Sequence, residues 1–234
     1  MANKKKSIWQ ILVISGAISV IFYALHVIIG GLLWPEYSHI RQTISELTAV
    51  GAPNTEFLRM FTVFYGIFAI IFALSLFFVL RKARVKKLAQ IGTVVLLIME
   101  IASFIGYYLF PLNTQNLQGF SNFMHMIVTA IVIICTIGFS FFIGIGLRKS
   151  VGYKSIGNFV LFCAFVITIA GVATPIVIMQ GIAIAGLMER INIYTLMTCI
   201  FVLSIYLCQK KIIPSHTVVI NRKKKKKSKA QYKF

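Results

Sequence analysis

The chain has no aspartate, and glutamate occurs only five times in its 234 residues. Charged residues make up 12% of it, about half the share of an ordinary soluble domain. So few charges exclude a soluble enzyme and a disordered regulator. Cysteine is equally sparse. Cys135, Cys163, Cys199 and Cys208 all lie within hydrophobic stretches or at the end of one, which excludes a secreted disulfide scaffold. Their spacing fits no metal site, so they read as small packing residues. No Asn-x-Ser/Thr sequon is present, so nothing suggests a glycosylated ectodomain. No small-x-small cleavage site follows the first hydrophobic stretch. Trp34-Pro35 follows instead, which reads as a retained helix and not a removed signal.

What the chain does have is apolar mass: 59% hydrophobic residues and a mean hydropathy of +0.88. A bilayer core of about 30 Å needs roughly 20 apolar residues per helix. Six stretches qualify, at about 8–34, 58–80, 89–111, 121–147, 155–179 and 188–208. None shows sustained alternation, so barrel strands are excluded. The expected fold is all-α: a six-helix polytopic membrane bundle over 1–208, then a basic tail over 209–234.

Orientation follows from the basic residues. Lys4 to Lys6, Arg81 to Lys87, Arg148 to Lys154 and the C-terminal tail together hold 21 of the 24 lysines and arginines. Only Arg41, Arg59 and Arg190 fall on the other side, with Glu36, Glu46, Glu56 and Glu189. The positive-inside rule makes the basic side cytoplasmic, with both termini inside. This segregation explains the net charge of +19 without nucleic acid as a partner. The expected partners are the lipid bilayer itself and, for the run Lys223 to Lys227, anionic lipid headgroups. Such runs gain about 1 kcal/mol per residue near an anionic surface.

The one long outer loop is 35–57. Ile40, Ile44 and Leu47 recur there at helical spacing, and Gly51 and Pro53 end the pattern. A short amphipathic helix over 38–50, lying on the outer surface, is expected; the alternative is a plug folded over the bundle. Gly138, Gly144, Gly146, Ala170 and Gly171 read as close helix contacts, and Pro175 as a kink.

Ionisable groups at membrane depth are costly, which makes His26, Glu100 and His125 candidates for function. Glu100 lies about 16 Å below the outer end of its span at 1.5 Å per residue. A carboxylate there must pair, with Arg59, Arg190 or a histidine, or else carry a proton. Each candidate sits on a polar stripe. Glu100, Ser103 and Tyr107 share a face, as do Tyr23 and His26. Asn122, His125 and Thr129 share another, and Arg190, Tyr194 and Thr198 a fourth, with Glu189 adjacent. With Glu46 and Arg59 on the outer side, these groups are candidate ligand-binding residues around an outward-facing cavity.

The segments Ile44-Ser45-Glu46-Leu47 and Gly51-Ala52-Pro53-Asn54 resemble the signature loop of a bacterial and archaeal membrane family known as domain of unknown function 998. Phe110-Pro111 closing the third span, His125 early in the fourth and Gly186-Leu187-x-Glu189-Arg190 opening the sixth agree with it. The resemblance covers about 8–208 and implies a fold, since the family's activity is unassigned. It also implies a multi-pass protein of the bacterial plasma membrane. Members often carry an aspartate near the position of Asn113, and asparagine cannot ionise, so an acid–base or metal role there is weakened.

Two functions compete. The first is binding of a small ligand or lipid headgroup, in a transporter-like or accessory role. The second is an intramembrane lipid hydrolase or remodelling enzyme using a His/Glu set. No cofactor is predicted. Zinc needs three or four convergent ligands, and His26, Glu100 and His125 are the candidate metal set, with Glu46 able to join. A bis-histidine haem needs equal depths, and His26 and His125 differ. Cysteine-accessibility labelling is expected to reach loop 35–57 only from outside and the C-terminal tail only after permeabilisation; the reverse pattern would contradict this topology.

Overall fold

The computed structural model describes residues 6–116 and 118–210. Lys4, Lys5 and the tail beyond Lys210, including the run Lys223 to Lys227, lie outside the described residues. Six spans cross the length of the bundle. The first is α1 (Ile8–Leu12) continued by α2 (Ser15–Leu32). It is followed by α3 (Thr55–Lys82), α4 (Lys87–Leu109), α5 (Phe120–Arg148), α6 (Lys154–Met179) and α7 (Ala185–Gln209). Each is long and apolar enough to cross a membrane, and each end falls within three residues of the hydropathy reading. The protein is a multi-pass, all-helical membrane bundle. Among the described residues no strand forms, only an isolated bridge between Val50 and Asn113. α6 runs through Pro175 without breaking.

Each helix packs on its chain neighbours, and α7 returns to α2, closing a ring. Consecutive helices run in opposite directions, so the connections gather at two ends. At one end Lys86 N–H donates to Ser150 Oγ, and Lys210 Nζ donates to the Gly152 carbonyl at 2.8 Å. This is the basic end, where the chain enters and leaves the bundle. The other end carries the 33–54 connection and is called the loop end below.

Close approach in lipid depends on small residues. A Cβ on Gly146 would collide with the backbone of Ala89, so α4 and α5 touch main chain to main chain there. Gly144 and Gly171 sit similarly tight, against Leu161 and Asn192. Gly138 is a correction: its nearest neighbour is a Val95 methyl at 3.8 Å, ordinary contact with no close approach.

The first span is interrupted at Val13–Ile14. Ser204 of α7 fills the break. Its hydroxyl donates to the Val13 carbonyl at 2.8 Å and accepts from the Ala17 N–H at 3.1 Å. A side chain inserted into the helical ladder is a recognised cause of a bend. Gln10 Nε2 donates to the Leu207 carbonyl at 3.2 Å close by, so this part of the α2–α7 contact is clasped by polar groups.

The 35–57 loop departs from expectation. The helix predicted over 38–50 is a single 3-10 segment at Ile44–Thr48, folded over the bundle as a plug. Ile44 and Leu47 are buried against Val27, Tyr37 and Leu58, whereas Ile40 points away and is exposed. The cause is competition for carbonyls. Ile40 O accepts from Leu187 N–H, Arg41 O from Gly186 N–H and Gln42 O from Arg190. Three successive carbonyls committed to α7 cannot serve an α-helical ladder. A capping box then starts the short helix: Thr43 N–H donates to Glu46 Oε1 at 2.8 Å. Gly51, at φ +82°, ends the plug in the left-handed region where glycine is the favoured residue.

Candidate functional site

Polar residues at the loop end surround a cavity of about 190 Å³ between α2, α3, α4, α5 and α7, roofed by the plug. Near its mouth lie Ser45 and Thr48 of the plug, Arg59, Pro111, His125 and Glu189. Deeper walls are His26, Tyr65, Ser103 and Tyr107, and Tyr23 and Met99 sit near the floor.

The plug is held over this cavity by α7. Arg190 is 5% exposed, and both of its terminal nitrogens are bonded at the loop end, while Nε has no partner. Its Nη1 donates to the Gln42 and Gly186 carbonyls at 2.8 and 2.9 Å, and Nη2 donates to the Tyr37 hydroxyl. That hydroxyl in turn donates to Thr43 O at 2.7 Å. Burial pushes the Tyr37 phenol up to about 12, against the opposing pull of Arg190, so it remains a neutral donor–acceptor link. Glu189, the neighbour of Arg190, accepts from Ile44 N–H and from Ser45 Oγ. The approach is so close that a Cβ on Gly186 would strike the Gln42 carbonyl.

A second staple comes from Phe110-Pro111. The residue before proline is disfavoured in helical geometry, so α4 ends there and Phe110 turns to φ −126°, ψ 68°. His125 Nδ1 takes the released Phe110 carbonyl at 2.9 Å. A carbonyl only accepts, so Nδ1 carries the hydrogen and Nε2 is left without a hydrogen bond. Asn122 ties the same connection: Oδ1 accepts from Asn113 N–H and Nδ2 donates to Asn113 O, both at 2.7 Å.

Glu100 is fully buried inside the bundle. It pairs with none of the groups anticipated. Its Oε2 accepts from the Tyr65 hydroxyl of α3 at 3.3 Å, and Oε1 has no partner. Arg59 is bonded instead to Glu56, itself 87% exposed, at 3.3 Å, and Arg190 serves the plug. His26 is 2% exposed, and neither ring nitrogen has a hydrogen-bond partner.

The sequence-derived candidates therefore separate. His26, Arg59, Ser103, Tyr107, His125 and Glu189 line the cavity. Glu100 stands behind Tyr65. Glu46, Asn122 and Arg190 hold the loops together, and Tyr194 lies on a groove outside the cavity, between α2 and α7. Tyr65 and Thr62 line the cavity without having been singled out. The signal was present: Arg59, Thr62 and Gly66 recur at helical spacing on the cavity face of α3. His26, Glu100 and His125 do not converge as a zinc site. Among the described residues no group of three His, Cys, Asp or Glu side chains is placed to hold a metal ion. Neither histidine hydrogen-bonds a serine, threonine or cysteine.

The fold and site define a six-span membrane protein with a plugged cavity at one end. The chain belongs to the family described as Protein of unknown function (DUF998), which matches residues 17–206. No curated protein and no solved structure matches the chain. The residues that carried the resemblance converge here: Ser45, Pro111, His125 and Glu189 all border the cavity.

Tyr37→Phe removes the acceptor for Arg190 and the donor to Thr43 together. A hydrogen bond to a buried charge is worth about 1.5–3 kcal/mol. The variant is expected to melt lower in detergent and to expose a cysteine placed by Ser45→Cys to labelling. Unaltered labelling would show that the plug is held by something else.

Proposed function

We propose that this protein binds a small polar ligand or lipid headgroup in the loop-end cavity, in a transporter-like or accessory role. In this reading the loop end faces outward and the basic end faces the cytoplasm of a bacterial cell. The tail lysines meet anionic headgroups there. The observation that carries the reading is His26, an imidazole lining a cavity while both of its nitrogens lack a partner.

A buried polar group without a hydrogen bond costs about 1–3 kcal/mol, and burial is rarely accepted at that cost. The stability lost at such a position is recovered when a bound group supplies the missing hydrogen bonds. Oε1 of Glu100 is a second orphan, one residue layer behind the cavity wall. The wall between offers hydroxyls from Tyr65, Ser103 and Tyr107, and Nε2 of His125 near the mouth. These polar groups are set among apolar side chains such as Val63, Phe104 and Leu196, a lining that suits a headgroup with an apolar neighbour. Arg59 supplies a cation at the entrance. Among the described residues its only ion-pair partner is a solvent-swept glutamate, a pairing worth little, so an incoming anion displaces it readily.

The test uses opposite signs. In delipidated detergent His26→Leu is expected to raise the melting temperature, because it removes an unsatisfied group. The same variant is expected to lose the lipid that wild-type protein retains through purification, measured by mass spectrometry. A variant that melts lower and retains wild-type lipid makes His26 a packing residue and sinks the reading.

A further inference from the structure

A second depression lies outside the cavity, on the α2–α7 face. It has a volume of about 250 Å³ and is lined by Val20 and Ala24 of α2 and by Tyr194, Thr198 and Phe201 of α7. Tyr23 and Met197 complete it, and both also line the polar cavity. These two side chains are therefore a shared wall between the loop-end cavity and the groove.

The groove has a definite address. At 1.5 Å per residue its residues lie about 12 to 24 Å below the loop end, within a hydrocarbon core of about 30 Å. Ala24, Tyr194, Thr198 and Phe201 are exposed there, so the medium that meets them is acyl chain and not water. At the loop end Glu189 and Arg190 of α7 bind the plug that follows α2, and toward the basic end Ser204 of α7 bridges Val13 and Ala17 of the first span. The groove lies between these two attachments.

We infer that the ligand is a membrane lipid held in two parts: its headgroup in the loop-end cavity, and one acyl chain leaving past Tyr23 and Met197 into the α2–α7 groove. This rests on the cavity reading and goes beyond it by fixing the ligand as chain-bearing and its entry as lateral. The direction is consistent with a lipid in the leaflet at the loop end. Its head lies near the surface and its tail descends toward the midplane. A water-soluble ligand would use the mouth beneath the plug and leave the groove to bulk lipid.

The probe is phosphatidylethanolamine with a mid-chain diazirine, in phosphatidylcholine nanodiscs containing the full-length protein. It offers a phosphate to Arg59 and an ammonium to the tyrosine-lined interior, where cations are attracted to ring faces. Soluble glycerophosphoethanolamine is titrated in parallel. Wild-type crosslinks are expected to concentrate on the groove residues of α2 and α7. Ala24→Trp fills the groove and is expected to lower that crosslinking about tenfold, a change of about 1.4 kcal/mol. Thr198→Trp repeats the test from α7, should either variant fail to fold. Ile134→Trp, on the 71% exposed lipid face of α5, is the control. Soluble headgroup binding should fall much less than lipid crosslinking in the groove variants. Crosslinks spread evenly over the lipid-facing surface, or undiminished by both groove variants, overturn the tail path while soluble binding keeps the cavity reading. Wild-type protein that takes up neither probe overturns both.

Discussion

Arg190 is the residue on which the loop end depends. A guanidinium buried one turn into the last span would be prohibitive alone. Here it is encircled by the carbonyls of Gln42 and Gly186 and by the Tyr37 hydroxyl. Those partners take up both terminal nitrogens, and the guanidinium in turn satisfies the Gln42 carbonyl of the loop. Gly186 and Leu187 use two backbone N–H groups at the start of α7, which no helical carbonyl can reach, on the carbonyls of Arg41 and Ile40. The plug and α7 thus complete each other's hydrogen bonding, and the cavity beneath is a consequence. A roof hung from one helix end leaves space below that the core clusters do not fill.

The walls of that space show where packing gives way to chemistry. Toward the basic end Phe72, Leu76, Phe139, Ile143 and Leu203 are buried in one apolar cluster. At the loop end Val27, Ile44, Leu47 and Leu58 make a smaller one. Between them stand Tyr65, bonded to Glu100, and two residues with unpaired polar atoms, His26 at both ring nitrogens and Glu100 at Oε1. Proteins retain unsatisfied groups of this kind at sites that a ligand completes, and we read these residues so.

The spans were legible because lipid imposes one rule on every residue: about 20 apolar positions per crossing. Depth was legible too, which is why His26, Glu100 and His125 stood out. Rotation about the helix axis was not. Ser103 and Tyr107 of the stripe line the cavity, but Glu100 turns toward α3, where Tyr65 meets it. Tyr65 went unnoticed because it sits in a run dense with phenylalanine. The choice between an amphipathic helix and a plug was not legible, for a different reason. The periodic Ile40, Ile44 and Leu47 suggested a helix, yet the carbonyls that would have built one are claimed by residues about 145 positions later. No local pattern announces a partner so distant in sequence. Glu46, Asn122 and Arg190 looked like ligand contacts for the same reason. Their charge or polarity was visible, and their backbone partners were not.

The proposed function places the head of a lipid in the loop-end cavity. The most direct measurement is an electron cryo-microscopy structure of the protein in native-lipid nanodiscs, with density examined between the plug and Tyr65. The expected result is a compact head of density in contact with His26 and continuous with a tail between α2 and α7. A cavity closed by its own side chains, or density that never reaches His26, would contradict it.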